Sequence, residues 1–84
     1  MRPVTVYTRA YCPYCTRAMA LLERKGAPVT EIDAGDPANR REMIQRSGRW
    51  TFPQIFVGDT HVGGCDDLHA LEQRGALDPL LTET

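Results

Sequence analysis

The sequence predicts an α/β domain with its elements in the order β-α-β-α-β-β-α. Runs rich in β-branched and aromatic residues alternate along the chain with stretches in which apolar residues recur at helical spacing. Glycine and proline mark the junctions between these runs. The 84 residues, of which 42% are hydrophobic, are enough for one small core, so we expect a single domain over residues 1–84.

The first three elements are expected to form a β-α-β unit. The β-branched run at residues 3–8 predicts the first strand. A helix is predicted from Pro13 to about Arg24, with Gly26 placed to end it. Residues 28–33 read as a second strand. The whole unit takes about thirty residues, which is typical of two parallel strands joined by a right-handed crossover.

A second helix and a hairpin follow. Asp36 and Pro37 are a helix start, since the carboxylate can cap the first turn and proline suits the first position; Gly48 ends this helix. Pro53 stands at the first residue of a strand, where a sheet tolerates proline. A Gly-Asp turn at 58–59 then leads into a short returning strand at 60–62, which predicts an antiparallel hairpin.

The last helix is predicted to start at residues 65–67 and to end at Gly75. Leu68 and Leu71 lie on one face of it, and the two aspartates in its first turn complement the helix dipole. Three leucines beyond Gly75 are expected to dock the tail, and residues 82–84 are expected to fray.

Residues 12–15, Cys-Pro-Tyr-Cys, fall where the first strand meets the first helix. Cys12 sits at the helix cap, where free backbone N–H groups and the positive end of the helix dipole favour a thiolate, the reactive form of cysteine. Cys15 follows on the same helix face, within reach of a disulfide. This setting predicts a redox-active dithiol with Cys12 as nucleophile and Cys15 as resolving thiol.

Other interpretations of these residues carry less weight. A structural disulfide is disfavoured because three cysteines leave one over. A structural zinc site would need a second close Cys/His pair, and Cys65, His61 and His69 do not form one, so no metal is expected. Arg9 would lie beside the dithiol, where it can stabilise a thiolate or bind a carboxylate; a solvated loop arginine is an equal alternative.

Charge and composition narrow the class of protein. The net charge of −1, with acids and bases interspersed, argues against a nucleic-acid or membrane surface. The N-terminal residues lack the apolar run of a signal peptide, and no segment approaches membrane-spanning length. Cysteines that read as unpaired fit a reducing cytoplasm.

Three motifs in this order and spacing resemble those of a glutaredoxin: Cys-Pro-Tyr-Cys at 12–15, Thr-Phe-Pro at 51–53 and Gly-Gly-Cys-Asp-Asp at 63–67. The resemblance is to the small bacterial dithiol glutaredoxins and extends over essentially the whole chain. It implies a thioredoxin-like fold, in which a four-stranded mixed sheet carries helices on both faces. It also implies a cis peptide bond before Pro53.

The resemblance further implies a glutathione-binding groove. By position, Arg9 would meet a glutathione carboxylate and Tyr14 would line the groove. Thr51 and Phe52, next to Pro53, would hold the cysteinyl backbone in the manner of an added strand.

The last helix would complete this groove. Backbone N–H groups around Cys65 and Asp66 would receive the γ-glutamyl carboxylate, and Asp66 could take its amino group. Two departures from the family pattern stand out. Phe52 replaces a smaller β-branched residue, with Trp50 as a second large ring nearby, and Cys65 is a third thiol, which we interpret as a small buried hydrophobe rather than a redox group.

The activity implied is reduction of protein–glutathione mixed disulfides and protein disulfides, with glutathione as co-substrate and no tightly bound cofactor. The resemblance favours a monomer whose partners are glutathionylated or disulfide-containing proteins, ribonucleotide reductase among the candidates. Two alternatives stay open. One is a redoxin reduced by thioredoxin reductase, and the other, ranked lower because Pro13 stiffens the loop, is a glutathione-ligated iron–sulfur carrier.

Overall fold

A mixed four-stranded sheet organises the computed structural model, which describes residues 1–83. Its strands are β1 (Val4–Thr8), β2 (Val29–Asp33), β3 (Gln54–Val57) and β4 (Thr60–Gly63). They lie in the order β2-β1-β3-β4. β1 pairs with β2 in parallel and with β3 antiparallel, and β3 and β4 form the predicted hairpin. Fraying was expected over residues 82–84; the structure places Thr82 at the end of the last helix, and Thr84 lies outside the described residues.

The helices are α1 (Pro13–Arg24), α2 (Pro37–Ser47), α3 (Cys65–Gln73) and α4 (Leu77–Thr82). The first three confirm the predicted order. The docked tail forms the additional short helix α4, in which Leu77 and Leu81 are buried. Pro79 falls in its first turn, where a missing N–H costs no helical hydrogen bond.

Helices cover both faces of the sheet. On one face, α1, α3 and α4 share a core with β1 and β3; its buried members are Val4, Val6, Ala18, Leu21, Leu22, Ile55, Val57, Cys65, Leu68, Leu77 and Leu81. On the other face, α2 packs on Tyr7 through Met43. The Tyr7 hydroxyl donates to Glu42 Oε2 at 2.7 Å and accepts from Arg46 Nη1 at 2.9 Å, so a buried polar network ties α2 to the sheet.

Capping residues set the ends of α2. The Asp36 carboxylate accepts the N–H of Asn39 at 3.1 Å, and Pro37 occupies the first helical position. Gly48 follows the last turn with φ of 71°, a left-handed conformation that glycine adopts without a steric penalty. Both sequence signals are confirmed.

None of the helices within residues 1–83 has the length and apolar character needed to cross a membrane.

Candidate active site

The strand order brings three loops to one edge of the sheet. β1 and β3 are antiparallel, with Tyr7 opposite Gln54. The segment that follows β1 and the segment that precedes β3 therefore lie at the same end of these strands. β4 runs antiparallel to β3, so its end, where α3 begins, reaches this edge as well. The three loops that meet there are residues 9–15, 49–53 and 63–67.

The first loop places the two thiols at the start of α1. Cys12 is the N-cap residue, with extended backbone, and Pro13 follows at the first helical position. The backbone N–H of Cys15 donates to Cys12 Sγ at 3.2 Å. Both side chains are free thiols and almost fully buried. The Cys12 sulfur thus occupies the positive end of the helix dipole, where negative charge is stabilised.

Cys15 is held as a neutral thiol. Burial raises its pKa to about 12, helped by its hydrogen bond to the Cys12 side chain and by the charge on that sulfur. A backbone hydrogen bond and the positive charge of Arg9 act in the opposite direction but are weaker. At neutral pH, Cys15 therefore keeps its proton and can donate its S–H towards Cys12.

All the predicted ligand-binding residues except Arg9 line one open cavity of about 250 Å³; it is bounded by Tyr14, Arg49, Thr51, Phe52, Pro53, Gly64, Cys65, Asp66 and Asp67. We call this cavity the groove. Tyr14, whose side chain is 52% exposed, forms one wall, and Arg17 lies over its ring with 4.7 Å between Cζ and the ring centroid. The cis peptide bond before Pro53 is present.

Arg9 lies on the other side of Phe52. Its guanidinium carbon is 5.4 Å from the Phe52 ring centroid, a cation–π distance. It lines a second cavity of about 560 Å³ together with Arg40 and Trp50, and this cavity shares the walls Tyr14, Thr51 and Phe52 with the groove. Trp50 is 70% exposed. Phe52 is therefore a wall shared by both cavities, whereas Trp50 and the two arginines line only the second of them.

The third loop presents the N-terminus of α3 to the groove. Asp67 accepts the N–H of Gly64 at 2.9 Å and pairs with Arg49 at 3.0 Å. The backbone hydrogen bond, followed by the Arg49 interaction, lowers the pKa of Asp67. The Asp67 carboxylate is thus held by contacts within the protein. The first N–H groups of α3 have no intrahelical partners and can bind an anion, with Asp66 exposed beside them.

Cys65, at the start of α3, is buried. Burial is the main cause that raises its pKa, and the charges of Asp66 and Cys12 add to it. His69 Nδ1 is 3.5 Å from its sulfur. These surroundings favour an uncharged thiol, consistent with its interpretation as a small buried hydrophobe. Within residues 1–83, no group of three or more His, Cys, Asp or Glu side chains is arranged to hold a metal ion.

Sequence reasoning missed the support behind the groove. The buried Gln54 side chain donates to the carbonyl oxygen and the hydroxyl of Thr51, at 3.0 and 3.1 Å. Its carbonyl oxygen lies 2.8 Å from His61 Nε2. The available signal was a glutamine in a strand whose other residues are apolar, since a buried amide needs partners.

A buried dithiol at the start of the helix after β1, beside a cis-proline that precedes the antiparallel β3, defines a thioredoxin-fold thiol–disulfide oxidoreductase. The glutaredoxin family model matches residues 4–62. Two bacterial relatives are each 57% identical: "Glutaredoxin" of Pseudomonas aeruginosa over 98% of this chain and 99% of its own, and "Glutaredoxin 3" of Escherichia coli K12 over 96% and 99%.

Solved structures support the same family assignment. A buckwheat glutaredoxin–glutathione complex superimposes with a TM-score of 0.88 at 34% identity, covering 98% of this chain and 78% of that one. Glutaredoxin from Brucella melitensis gives 0.84 at 65% identity, covering 96% and 89%. The chain belongs to the glutaredoxin family and is a glutathione-dependent thiol–disulfide oxidoreductase.

Proposed function

We propose that the dithiol reduces protein–glutathione mixed disulfides and protein disulfides, with Cys12 as nucleophile and Cys15 as resolving thiol. The observation that carries this assignment is the 3.2 Å hydrogen bond from the Cys15 N–H to Cys12 Sγ at the start of α1. It supports negative charge on one sulfur, while burial keeps the other protonated. The two thiols are thereby given different roles.

In the first reaction, the Cys12 thiolate attacks the glutathione sulfur of a mixed disulfide. The new Cys12–glutathione disulfide forms as the old S–S bond breaks, and the protein substrate leaves as a thiolate that takes a proton from water. A second glutathione, as thiolate, then attacks the glutathione sulfur on Cys12. Glutathione disulfide leaves and the Cys12 thiolate returns.

In the second reaction, Cys12 attacks a protein disulfide and forms a mixed disulfide with the target. The Cys15 thiol then attacks Cys12 Sγ, its proton passes to the departing target thiolate, and a Cys12–Cys15 disulfide remains for two glutathiones to reduce. Once Cys12 is bound in a disulfide, its charge no longer opposes ionisation of Cys15. Cys15 can therefore lose its proton more readily at the step in which it attacks Cys12 Sγ.

Glutathione is proposed to lie in the groove with its cysteinyl backbone along Thr51 and Phe52. The free N–H groups at Cys65 and Asp66 would bind the γ-glutamyl carboxylate, which is the charge preferred at a helix N-terminus. Asp66, exposed beside them, would take the amino group. At the opposite end, Arg9 would meet the second carboxylate. The positions of these residues around adjoining cavities support this orientation.

We propose a single-domain monomer over residues 1–84 that needs no tightly bound cofactor. Three free thiols, two of which form a dithiol that must be kept reduced, fit the cytoplasm. Glutathionylated and disulfide-containing proteins would be its macromolecular substrates, and ribonucleotide reductase is one candidate. No role with nucleic acid or membranes is proposed.

The test is a coupled assay with a glutathionylated peptide, glutathione and glutathione reductase. Cys12→Ser should abolish turnover, whereas Cys15→Ser should retain deglutathionylation and lose reduction of a protein disulfide. Cys65→Ser is the matched control and should retain both reactions. Turnover by the Cys12→Ser protein would refute the assignment. Faster reduction by thioredoxin reductase than by glutathione would favour the redoxin alternative.

A further inference from the structure

Gln54 is a fully buried polar side chain in a strand that otherwise reads Ile-Phe-Val. Each polar atom of its carboxamide has a partner. Nε2 donates to the carbonyl oxygen and to the hydroxyl of Thr51, at 3.0 and 3.1 Å. Oε1 faces His61 Nε2 at 2.8 Å. The amide therefore links β4 to the loop that carries Thr51, which is exposed at the groove.

The direction of these hydrogen bonds follows from the donors. Both N–H groups of Gln54 point at oxygens of Thr51, so its own oxygen must accept, and His61 donates from Nε2. The imidazole can donate there whether neutral or protonated. Its ring packs edge-on against Phe56, with 4.9 Å between ring centroids. His61 thus holds the Gln54 carboxamide in the one orientation that directs both donors at Thr51.

We infer that Gln54, oriented by His61, is a positioning residue that fixes Thr51 for binding glutathione. This inference rests on the proposed function, in which the backbone of Thr51 and Phe52 receives the cysteinyl part of glutathione. Two hydrogen bonds from one buried amide fix both the backbone and the side chain of Thr51. Without them, the loop before Pro53 would sample other conformations. Ordering this loop when the ligand binds would cost free energy and weaken binding.

The test compares two forms of one peptide. In one form its cysteine is disulfide-bonded to glutathione, and in the other to 2-mercaptoethanol, which has no peptide backbone for the groove to bind. Gln54→Met keeps the size of the side chain and removes its donors and acceptor. We expect KM for the glutathionylated peptide to rise about tenfold, with kcat within about twofold. KM for the 2-mercaptoethanol form should stay unchanged.

Tyr7→Phe is the matched control. Tyr7 lies opposite Gln54 in the sheet, is equally buried and belongs to a polar network with Glu42 and Arg46. We expect this variant to lower Tm while leaving both KM values unchanged. His61→Phe removes the donor to Gln54 and should raise KM for the glutathionylated peptide alone, whereas His61→Gln, which restores an N–H donor, should reverse part of that rise.

Equal losses on the two peptides in Gln54→Met, or no loss on either, would overturn the positioning role. The same KM rise in Tyr7→Phe would also overturn it, because general loosening of the core would then be the cause. An unchanged KM in His61→Phe would refute the part assigned to His61. A wild-type protein that does not distinguish the two peptides would instead refute the proposed glutathione site.

Discussion

The backbone N–H of Cys15 points at the sulfur of Cys12 across 3.2 Å. This single contact places the two cysteines in unlike electrostatic positions, although they are three residues apart and both almost fully buried. The Cys12 sulfur accepts this backbone N–H at the start of α1. The Cys15 thiol directs its S–H towards that sulfur, and burial raises its pKa. Their reactivities should differ accordingly.

Alkylation should reveal this difference. At neutral pH, iodoacetamide should modify Cys12 first, and the rate at Cys15 should keep rising as pH approaches its pKa of about 12. The measurement is peptide mapping by mass spectrometry after short pulses of reagent. In denaturant, as a control, all three cysteines should react alike. Equal rates at Cys12 and Cys15 in the native protein at pH 7 would contradict the assignment.

Gly63→Ala should damage the groove as well as the fold. Gly63 has φ of 115°, and a Cβ there would collide with the Asp67 carboxylate and crowd Arg49. We expect a loss of about 1–3 kcal/mol in the free energy of unfolding, measured in urea, together with a raised KM for glutathionylated peptide.

Gly75→Ala is the control for this variant. Gly75 also has a positive φ, of 71°, but a Cβ there meets open space. The Gly75→Ala protein should lose about 1 kcal/mol in the free energy of unfolding through backbone strain alone, and its KM should be unchanged. Similar KM values for the two variants would show that the contact with Asp67 does not shape the groove.

Tyr11 should be a site of stored backbone strain. It adopts φ of 57° just before the dithiol, and its side chain is 100% exposed. Asparagine tolerates this left-handed conformation better than other residues with a Cβ. Tyr11→Asn should therefore raise the free energy of unfolding by about 0.5–1 kcal/mol, measured in urea. Tyr11→Ala keeps the steric penalty, so an equal gain there would refute the explanation.

Stability should fall in two stages on acidification. Burial, aided by the charge of Arg49 and opposed by that of Asp67, lowers the pKa of His61 below 6.5. The unfolded chain therefore takes up this proton first, and stability declines as pH falls below about 6.5. The pKa of Asp67 is lowered from 3.8, so its contribution is present above that pH and is lost below it.

Urea unfolding from neutral pH down to about pH 3 measures both stages. His61→Gln should remove the first decline and Asp67→Asn the second, each leaving the other. A single decline that neither substitution alters would show that other groups control acid stability.

Much of the fold was predictable because local signals set its boundaries. Asp36, Pro37 and Gly48 define α2 through capping, which depends only on neighbouring residues. The dithiol was equally predictable, since its chemistry needs one turn of helix. α4 was not, because six residues carry little periodic signal and that helix forms by docking Leu77 and Leu81 on the core.

The support of the groove could not be read from the sequence either. The pairing of Arg49 with Asp67 joins residues 18 apart, and the contact between Gln54 and His61 crosses a hairpin. Sequence shows that such groups need partners but not which partner lies nearby. The left-handed backbone at Tyr11 had no signal, because a tyrosine is seldom found in that conformation.

The meeting of three loops at one edge of the sheet has a consequence for how such an enzyme can diversify. Both reactive sulfurs come from residues 9–15, whereas most of the groove wall comes from residues 49–53 and 63–67. The residues of the latter two segments can therefore change while the dithiol stays the same. Replacing these two segments with those of a relative should change the substrate preference and leave the redox chemistry of the Cys12–Cys15 pair unaltered.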